Sequence, residues 1–225
     1  MLQTPLQGIL FDFDGLILDT ETPIFQAWEQ KFKEYGQELL LDEWAEIVGK
    51  STDQLGPIEG FLNSFAEANQ RNEILQEVKQ KELELLQPKK LLPGVEDLLN
   101  KAKRLGLQLG IVSSSDQEWV LSHLKRLGVL DYFGHTSCAD EVEIAKPNPA
   151  LYNLGLKKTG LPREKVLVLE DSPKGVLAAK RAGLFCIAVP NQLTSQLPFY
   201  NNGGAPDLVL ASLLEFPWEE FMRDN

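Results

Sequence analysis

Cysteine and histidine are both scarce in this chain of 225 residues, with two of each. Cys138 and Cys186 are too few and too far apart for a disulfide framework or a zinc site, which points to a reducing compartment. His123 and His135 leave little material for a Ser-His-Asp triad or a histidine-rich metal centre, and His123 falls inside a helical run over 118–127. No Lys or Arg precedes Lys31, so the basic start of a secretory signal is missing, and no apolar run approaches the roughly 20 residues that span a bilayer. Positive charge is also in deficit: 22 Lys+Arg face 33 Asp+Glu, a net charge of -11. That field repels phosphodiester backbones and anionic lipid surfaces. A small phosphate ester stays compatible with it, because a bound cation and a few local donors outweigh a distant, salt-screened net charge. The expectation is a cytoplasmic protein, a monomer, whose partner is a small molecule and neither nucleic acid nor membrane.

What is present suits burial. Hydrophobic residues make up 43% and charged residues 24%, ordinary globular values. At roughly 150 residues per domain, the length allows one large domain or one domain plus an insert. Apolar runs at 8–11, 107–112, 166–169 and 185–189 read as core strands, and 207–210 as a final edge strand. Helices lie between them. Ser115 and Glu118 have capping-box spacing, Asn148-Pro149 and Ser172-Pro173 place a cap before a proline, and Gly106, Gly128, Gly160 and Gly183 mark helix stops. This βαβα alternation predicts a Rossmann-like parallel sheet with helices on both faces and ligands beyond the carboxyl ends of its strands.

The interval from Gly15 to Leu107 is far longer than a parallel crossover needs. Ile24, Trp28 and Phe32 recur at fourfold spacing, and 71–86 is rich in Gln, Glu, Lys and Leu without Gly or Pro. Residues 21–87 therefore read as a small helical bundle with stems at 16–20 and 88–93. The expected organisation is a core of residues 1–15 and 93–225, interrupted by an all-helical cap at 16–92 with hinge segments.

Four signals fall at strand ends. Asp12 and Asp14 flank Phe13 after the first strand, with Gly15 allowing a sharp turn; carboxylates that close require a cation between them or a retained proton. Ser113-Ser114-Ser115 follows the second run and opens a helix, a place suited to an anion. Lys146 is confined by Pro147 and Pro149, where an ammonium could neutralise a transferring phosphoryl group. Glu170-Asp171 ends a further strand. Two acidic pairs could share one hard cation, and oxygen ligands with open positions suit Mg²⁺.

Asp12-Phe13-Asp14-Gly15, Ser113, Lys146 and Glu170-Asp171-Ser172-Pro173-Lys174-Gly175 together resemble the four ordered motifs of the haloacid dehalogenase superfamily, in its phosphatase and β-phosphoglucomutase-like branch. The resemblance implies a Mg²⁺-dependent phosphatase of a small phosphorylated metabolite, with a sugar-phosphate mutase as the alternative. In it Asp12 is the nucleophile that becomes an aspartyl phosphate, and Asp14 is the general acid and then base. Asp12, Asp14 through its main-chain carbonyl, Glu170 and Asp171 form the metal set, while Ser113, Ser114 and Lys146 hold the phosphoryl oxygens. Two departures weigh against the mutase: Ile24 stands where mutases place a His, and Thr52 or Asp53 where they carry an Arg. Lys50, Ser51 and Arg71 are the expected specificity residues. A non-enzymatic regulator binding a phosphorylated metabolite is the remaining alternative, and the complete acidic and Lys set argues against it.

Overall fold

The computed structural model describes residues 2, 5–45, 56–199 and 204–223. Lys50, Ser51, Thr52 and Asp53 lie outside the described residues.

A six-stranded, wholly parallel sheet forms the centre, in the order β3-β2-β1-β4-β5-β6. Its strands are β1 (Gly8–Phe11), β2 (Gln108–Val112), β3 (His135–Ser137), β4 (Val166–Glu170), β5 (Phe185–Ala188) and β6 (Leu208–Val209). Alternate residues of each inner strand enter opposite layers: Ile9, Phe11, Leu167 and Leu169 join one buried cluster, Leu10, Val166 and Val168 the other. Burial on both faces is why these segments read as unbroken apolar runs. The expected strand at 207–210 contracts to Leu208–Val209, although the Asp207 and Leu210 N–H groups at its ends still donate to Cys186 and Ala188 of β5; the Asp207 carboxylate accepts from the Cys186 N–H and the Lys180 ammonium.

The helices are α1 (Glu21–Glu34), α2 (Leu41–Ala45), α3 (Gly56–Asn63), α4 (Ala68–Leu86), α5 (Val95–Arg104), α6 (Gln117–Arg126), α7 (Ala150–Thr159), α8 (Pro173–Arg181) and the short α9 (Trp218–Phe221). Helices α5 and α6 cover one face of the sheet, and α7 and α8 the other. All four glycines expected to stop helices adopt positive φ. Ser172 caps α8 by accepting from the Gly175 N–H, with Pro173 in the first turn. Two caps differ from expectation. Asp116, not Ser115, caps α6, accepting from the Trp119 N–H at 2.7 Å, because the Ser115 hydroxyl is bound to Asp14. Helix α7 begins at Ala150, after Pro149, and the Asn148 side chain accepts from the Ala150 N–H.

Helices α1 to α4 occupy the long interval and share their own apolar cluster, in which Trp28, Phe32, Trp44, Phe61, Ile74 and Val78 are buried. Phe32 stacks on Phe61 with ring centroids 4.3 Å apart. The two stems pair with each other: Leu18 bridges Leu91, the Leu92 N–H donates to the Ile17 carbonyl, and Lys89 meets Asp19 at 2.7 Å. Among the described residues no helix is long and apolar enough to cross a membrane. Both cysteines are free and buried.

Candidate active site

The sheet order changes direction at β1, which lies between β2 and β4, so the chain crosses to opposite sides and leaves a crevice beyond the carboxyl ends of these strands. Asp12 follows β1 directly, and its N–H continues the ladder to the Leu169 carbonyl at 2.9 Å. Ser113 follows β2 and is likewise fixed, its N–H donating to Ser137. Glu170 is the last residue of β4, and Asp171 comes next. Backbone pairing thus sets the positions of four of the expected site residues before any side chain is considered.

Asp12, Glu170 and Asp171 are buried, and each offers a carboxylate oxygen within 4.8 Å of the others. Lys146 reaches in from the loop before α7. Its ammonium donates to Asp12 Oδ1 at 2.6 Å, Glu170 Oε1 at 2.7 Å and the Val112 carbonyl at 2.7 Å. All three ammonium donors are satisfied. Three buried carboxylates against one buried ammonium leave excess negative charge, which a water-poor site holds by retaining protons or by binding a cation.

The titration tendencies follow. Burial, and then the Glu170 charge, pushes Asp12 up to about 7 despite Lys146. Burial raises Asp171 as well, reinforced by Asp12 and Glu170. Burial opposes the charge on Lys146, but Asp12 and Glu170 more than offset it and push its pKa up. Glu21, in the first turn of α1, is pushed up to about 8 by burial and then by Asp14, Asp12 and Asp19.

The acidic residues are not equivalent. Glu170 is saturated: Oε1 accepts from Lys146 and from the Tyr152 hydroxyl at 2.6 Å, and Oε2 accepts from the Asp171 N–H, the Ser172 N–H and the Ser172 hydroxyl. It supplies charge and anchors Lys146, and has little capacity left for direct coordination. Asp171 Oδ2 accepts from Asn191 Nδ2 at 2.7 Å. The Asn191 amide is oriented by its own Oδ1, which accepts from the Leu193 and Thr194 N–H groups. Nδ2 also lies 3.3 Å from the Gly15 carbonyl. Gly15 has φ 81°, and a Cβ there would collide with Asp171 Oδ2 and Asn191 Nδ2. A Cβ on Gly175 would overlap the Glu170 carboxylate. Glycine at both positions is required by close approach.

Asp14 lies outside the three-carboxylate group. Its Oδ2 accepts from the Ser115 hydroxyl at 2.7 Å and the Ser113 hydroxyl at 3.1 Å, and its Oδ1 accepts from Trp119 Nε1 at 2.9 Å. Ser113 also accepts from the Ser115 N–H at 2.9 Å, so its hydroxyl is engaged on both sides, whereas the buried Ser114 hydroxyl lacks a partner among the described residues. Of the expected specificity residues only Arg71 is described. It is half-buried in the first turn of α4, and among the described residues its side chain makes no contact with the acidic group. Ile24 packs against the apolar cluster of the helical insertion.

Trp119, Asn191, Tyr152 and Glu21 escape the sequence reading as site residues. Glu21 was legible only as a helix start. Nothing local marks the other three, whose partners are 105, 20 and 18 residues away.

Residues 9–189 match the haloacid dehalogenase-like hydrolase family. The chain is 41% identical over 194 residues to the provisionally named phosphatase YhcW of Bacillus subtilis strain 168, covering 86% of this chain and 88% of that one. It is 33% identical to the phosphorylated carbohydrates phosphatase of Thermotoga maritima, covering 80% and 82% of the two chains. Among solved structures, a CbbY variant from Rhodobacter sphaeroides in complex with xylulose 1,5-bisphosphate superposes with a TM-score of 0.76 at 27% identity, over 94% of this chain and 96% of that one. A β-phosphoglucomutase from Clostridium difficile shares the fold, with a TM-score of 0.75 at 23% identity over 96% and 95%. With its ordered acidic, Ser and Lys motifs converging at one sheet rim, the chain belongs to the haloacid dehalogenase-like hydrolase family and is an enzyme of its phosphatase kind.

Proposed function

We propose that this enzyme is a Mg²⁺-dependent phosphatase that hydrolyses a small phosphorylated metabolite, a sugar phosphate, through a phosphoryl group carried on Asp12. The observation that carries the reading is the buried group of Asp12, Glu170 and Asp171, with the Lys146 ammonium paired to two of its members. The donor set is all oxygen, its charge is under-compensated, and Asp171 retains acceptor capacity, which together fit a hard divalent cation. Asp12, Asp171 and the Asp14 main-chain carbonyl would hold Mg²⁺, with Glu170 contributing charge from behind. Bound there, the ion would neutralise phosphoryl oxygens beside the nucleophile.

Asp12 attacks phosphorus, an Asp12–phosphorus bond forms, and the ester bond to the leaving oxygen breaks. Asp14 gives its proton to that oxygen. Water then attacks phosphorus, Asp14 takes the water's proton, and phosphate leaves with the Asp12 carboxylate restored. Splitting the displacement in this way replaces one difficult step with two easier ones. Lys146, bonded to Asp12, supplies positive charge beside the phosphoryl oxygens, or turns one donor to them when substrate binds, and the Ser113-Ser114 turn holds them; the Ser114 hydroxyl, without a partner among the described residues, supports that assignment. Residues 16–92 act as a cap over this rim, with the paired stems as its hinge. Ile24, apolar and packed into the insertion, supports hydrolysis over the mutase reading.

The test is phosphate release from a panel of sugar phosphates and nucleotides, with and without Mg²⁺. Release from sugar phosphates that needs Mg²⁺ and disappears in Asp12→Asn is expected. Release without Mg²⁺, or unchanged in Asp12→Asn, overturns the reading.

A further inference from the structure

Asp12 and Asp14 are two residues apart, yet only Asp14 has its side chain held by a tryptophan. Trp119 Nε1 donates to Asp14 Oδ1 at 2.9 Å. The indole is itself held: His123 packs edge-on with centroids 4.4 Å apart, and Lys79 of α4 places its ammonium 4.8 Å from the ring centre. His123 in turn stacks on Phe13, between the two aspartates. The ring is thus held by the catalytic turn's own neighbour and by the helical insertion.

An indole N–H can donate and cannot accept, whereas a serine hydroxyl does both. While Trp119 is bound, Oδ1 is engaged as an acceptor, and the better acceptor of a carboxyl group is its unprotonated oxygen, so a proton on Asp14 favours Oδ2. That oxygen faces Ser113 and Ser115, the turn that would receive the phosphoryl group, and their hydroxyls can reverse direction as the proton arrives or leaves. Building on the reading above, we propose that Trp119 is a positioning residue that fixes the orientation of the Asp14 carboxylate, and with it the acid–base proton, through its bond to Oδ1.

Trp119→Phe keeps the ring packing and removes the donor. Its signature is sensitivity to the leaving group, since an acidic phenol departs without help and a basic one needs the proton. Across aryl phosphates of graded leaving-group acidity, kcat/KM of Trp119→Phe is expected to fall about ten-fold for the most basic phenols and by less than about two-fold for 4-nitrophenyl phosphate. Trp119→His, which restores an N–H, should recover part of the loss. A uniform fall across the series, or none, overturns the proposal. A second measurement does not depend on turnover: the Trp119 indole N–H resonance, one of four indole signals in the chain, should shift in Asp14→Ala. An unmoved resonance also overturns it. Wild-type protein inactive on every aryl phosphate would count against the phosphatase reading, while the resonance would still decide the Trp119–Asp14 bond.

Discussion

The sheet rim and the helical insertion are held together by opposite means. At the rim, side chains gathered from the ends of β1, β2 and β4 and from the loop before α7 are densely hydrogen-bonded: Lys146 makes three bonds, Glu170 accepts five, and Asp14 accepts three. The insertion has an aromatic and aliphatic centre, with charged pairs such as Lys33–Glu29 on its outside. A dense polar network fixes one geometry, because each broken bond leaves a buried group unsatisfied. An apolar centre fixes packing and leaves the surface chemistry open. The division matches the proposed roles: a constant phosphoryl-handling rim and a helical cap that carries substrate choice.

The comparison can be broken in graded ways. The largest effect should come at the rim, where Asp12→Asn removes the nucleophile without changing shape; phosphate release should fall about 10³-fold or more while the thermal midpoint stays close to wild type. Loss of folding along with activity would mean that Asp12 serves the network first. Lys146→Met leaves buried carboxylates without their ammonium and should destabilise the metal-free protein by about 3–5 kcal/mol in urea unfolding. In the insertion, Phe61→Ala removes a ring that is only 3% exposed and should cost a similar amount, about 3–5 kcal/mol, but locally. Hydrogen exchange should show α1, α3 and α4 opening while β1 and β4 keep their protection. Equal loss of protection in the sheet would erase the distinction between the regions.

A smaller effect is expected from Asn191→Ala. It frees Asp171 Oδ2 without touching the other carboxylates, and calorimetry should show Mg²⁺ binding weakened about 10–100-fold. The smallest concerns pH. Asp12 titrates at about 7 in the folded chain and near the ordinary aspartate value when unfolded, so the folded state holds the extra proton between those limits. Stability of the metal-free protein should therefore fall as pH rises through that window, and stabilisation by Mg²⁺ should grow across it, because the ion binds the deprotonated group. Thermal midpoints measured with and without Mg²⁺ from about pH 5 to 8 would show it.

The same contrast explains what the sequence made legible. Gly8–Phe11 and Val166–Glu170 are buried on both faces, so their strand character is written as continuous apolar runs, and the acidic residues that end those runs inherit a known position. β3 was missed because His135–Ser137 is short, polar and at the sheet edge. Ser115 was misread as a cap because its hydroxyl has a better acceptor in Asp14, 101 residues away. Trp119 and Asn191 occupy ordinary helix and loop positions, and only the assembled fold brings them to the carboxylates. In the insertion, helical spacing revealed the packing of Trp28 and Phe32, but a 3.6-residue period does not say which polar side chain faces the rim, which is why Arg71 was singled out without a contact to justify it.

The central claim is that phosphorus passes through Asp12. Acid-quenching the enzyme during turnover of a sugar phosphate with Mg²⁺, followed by peptide mass mapping, tests it directly. One phosphoryl group on the peptide containing Asp12, absent from Asp12→Asn, is the expected result. Steady turnover with no phosphoryl group at Asp12 at any quench time would contradict the account.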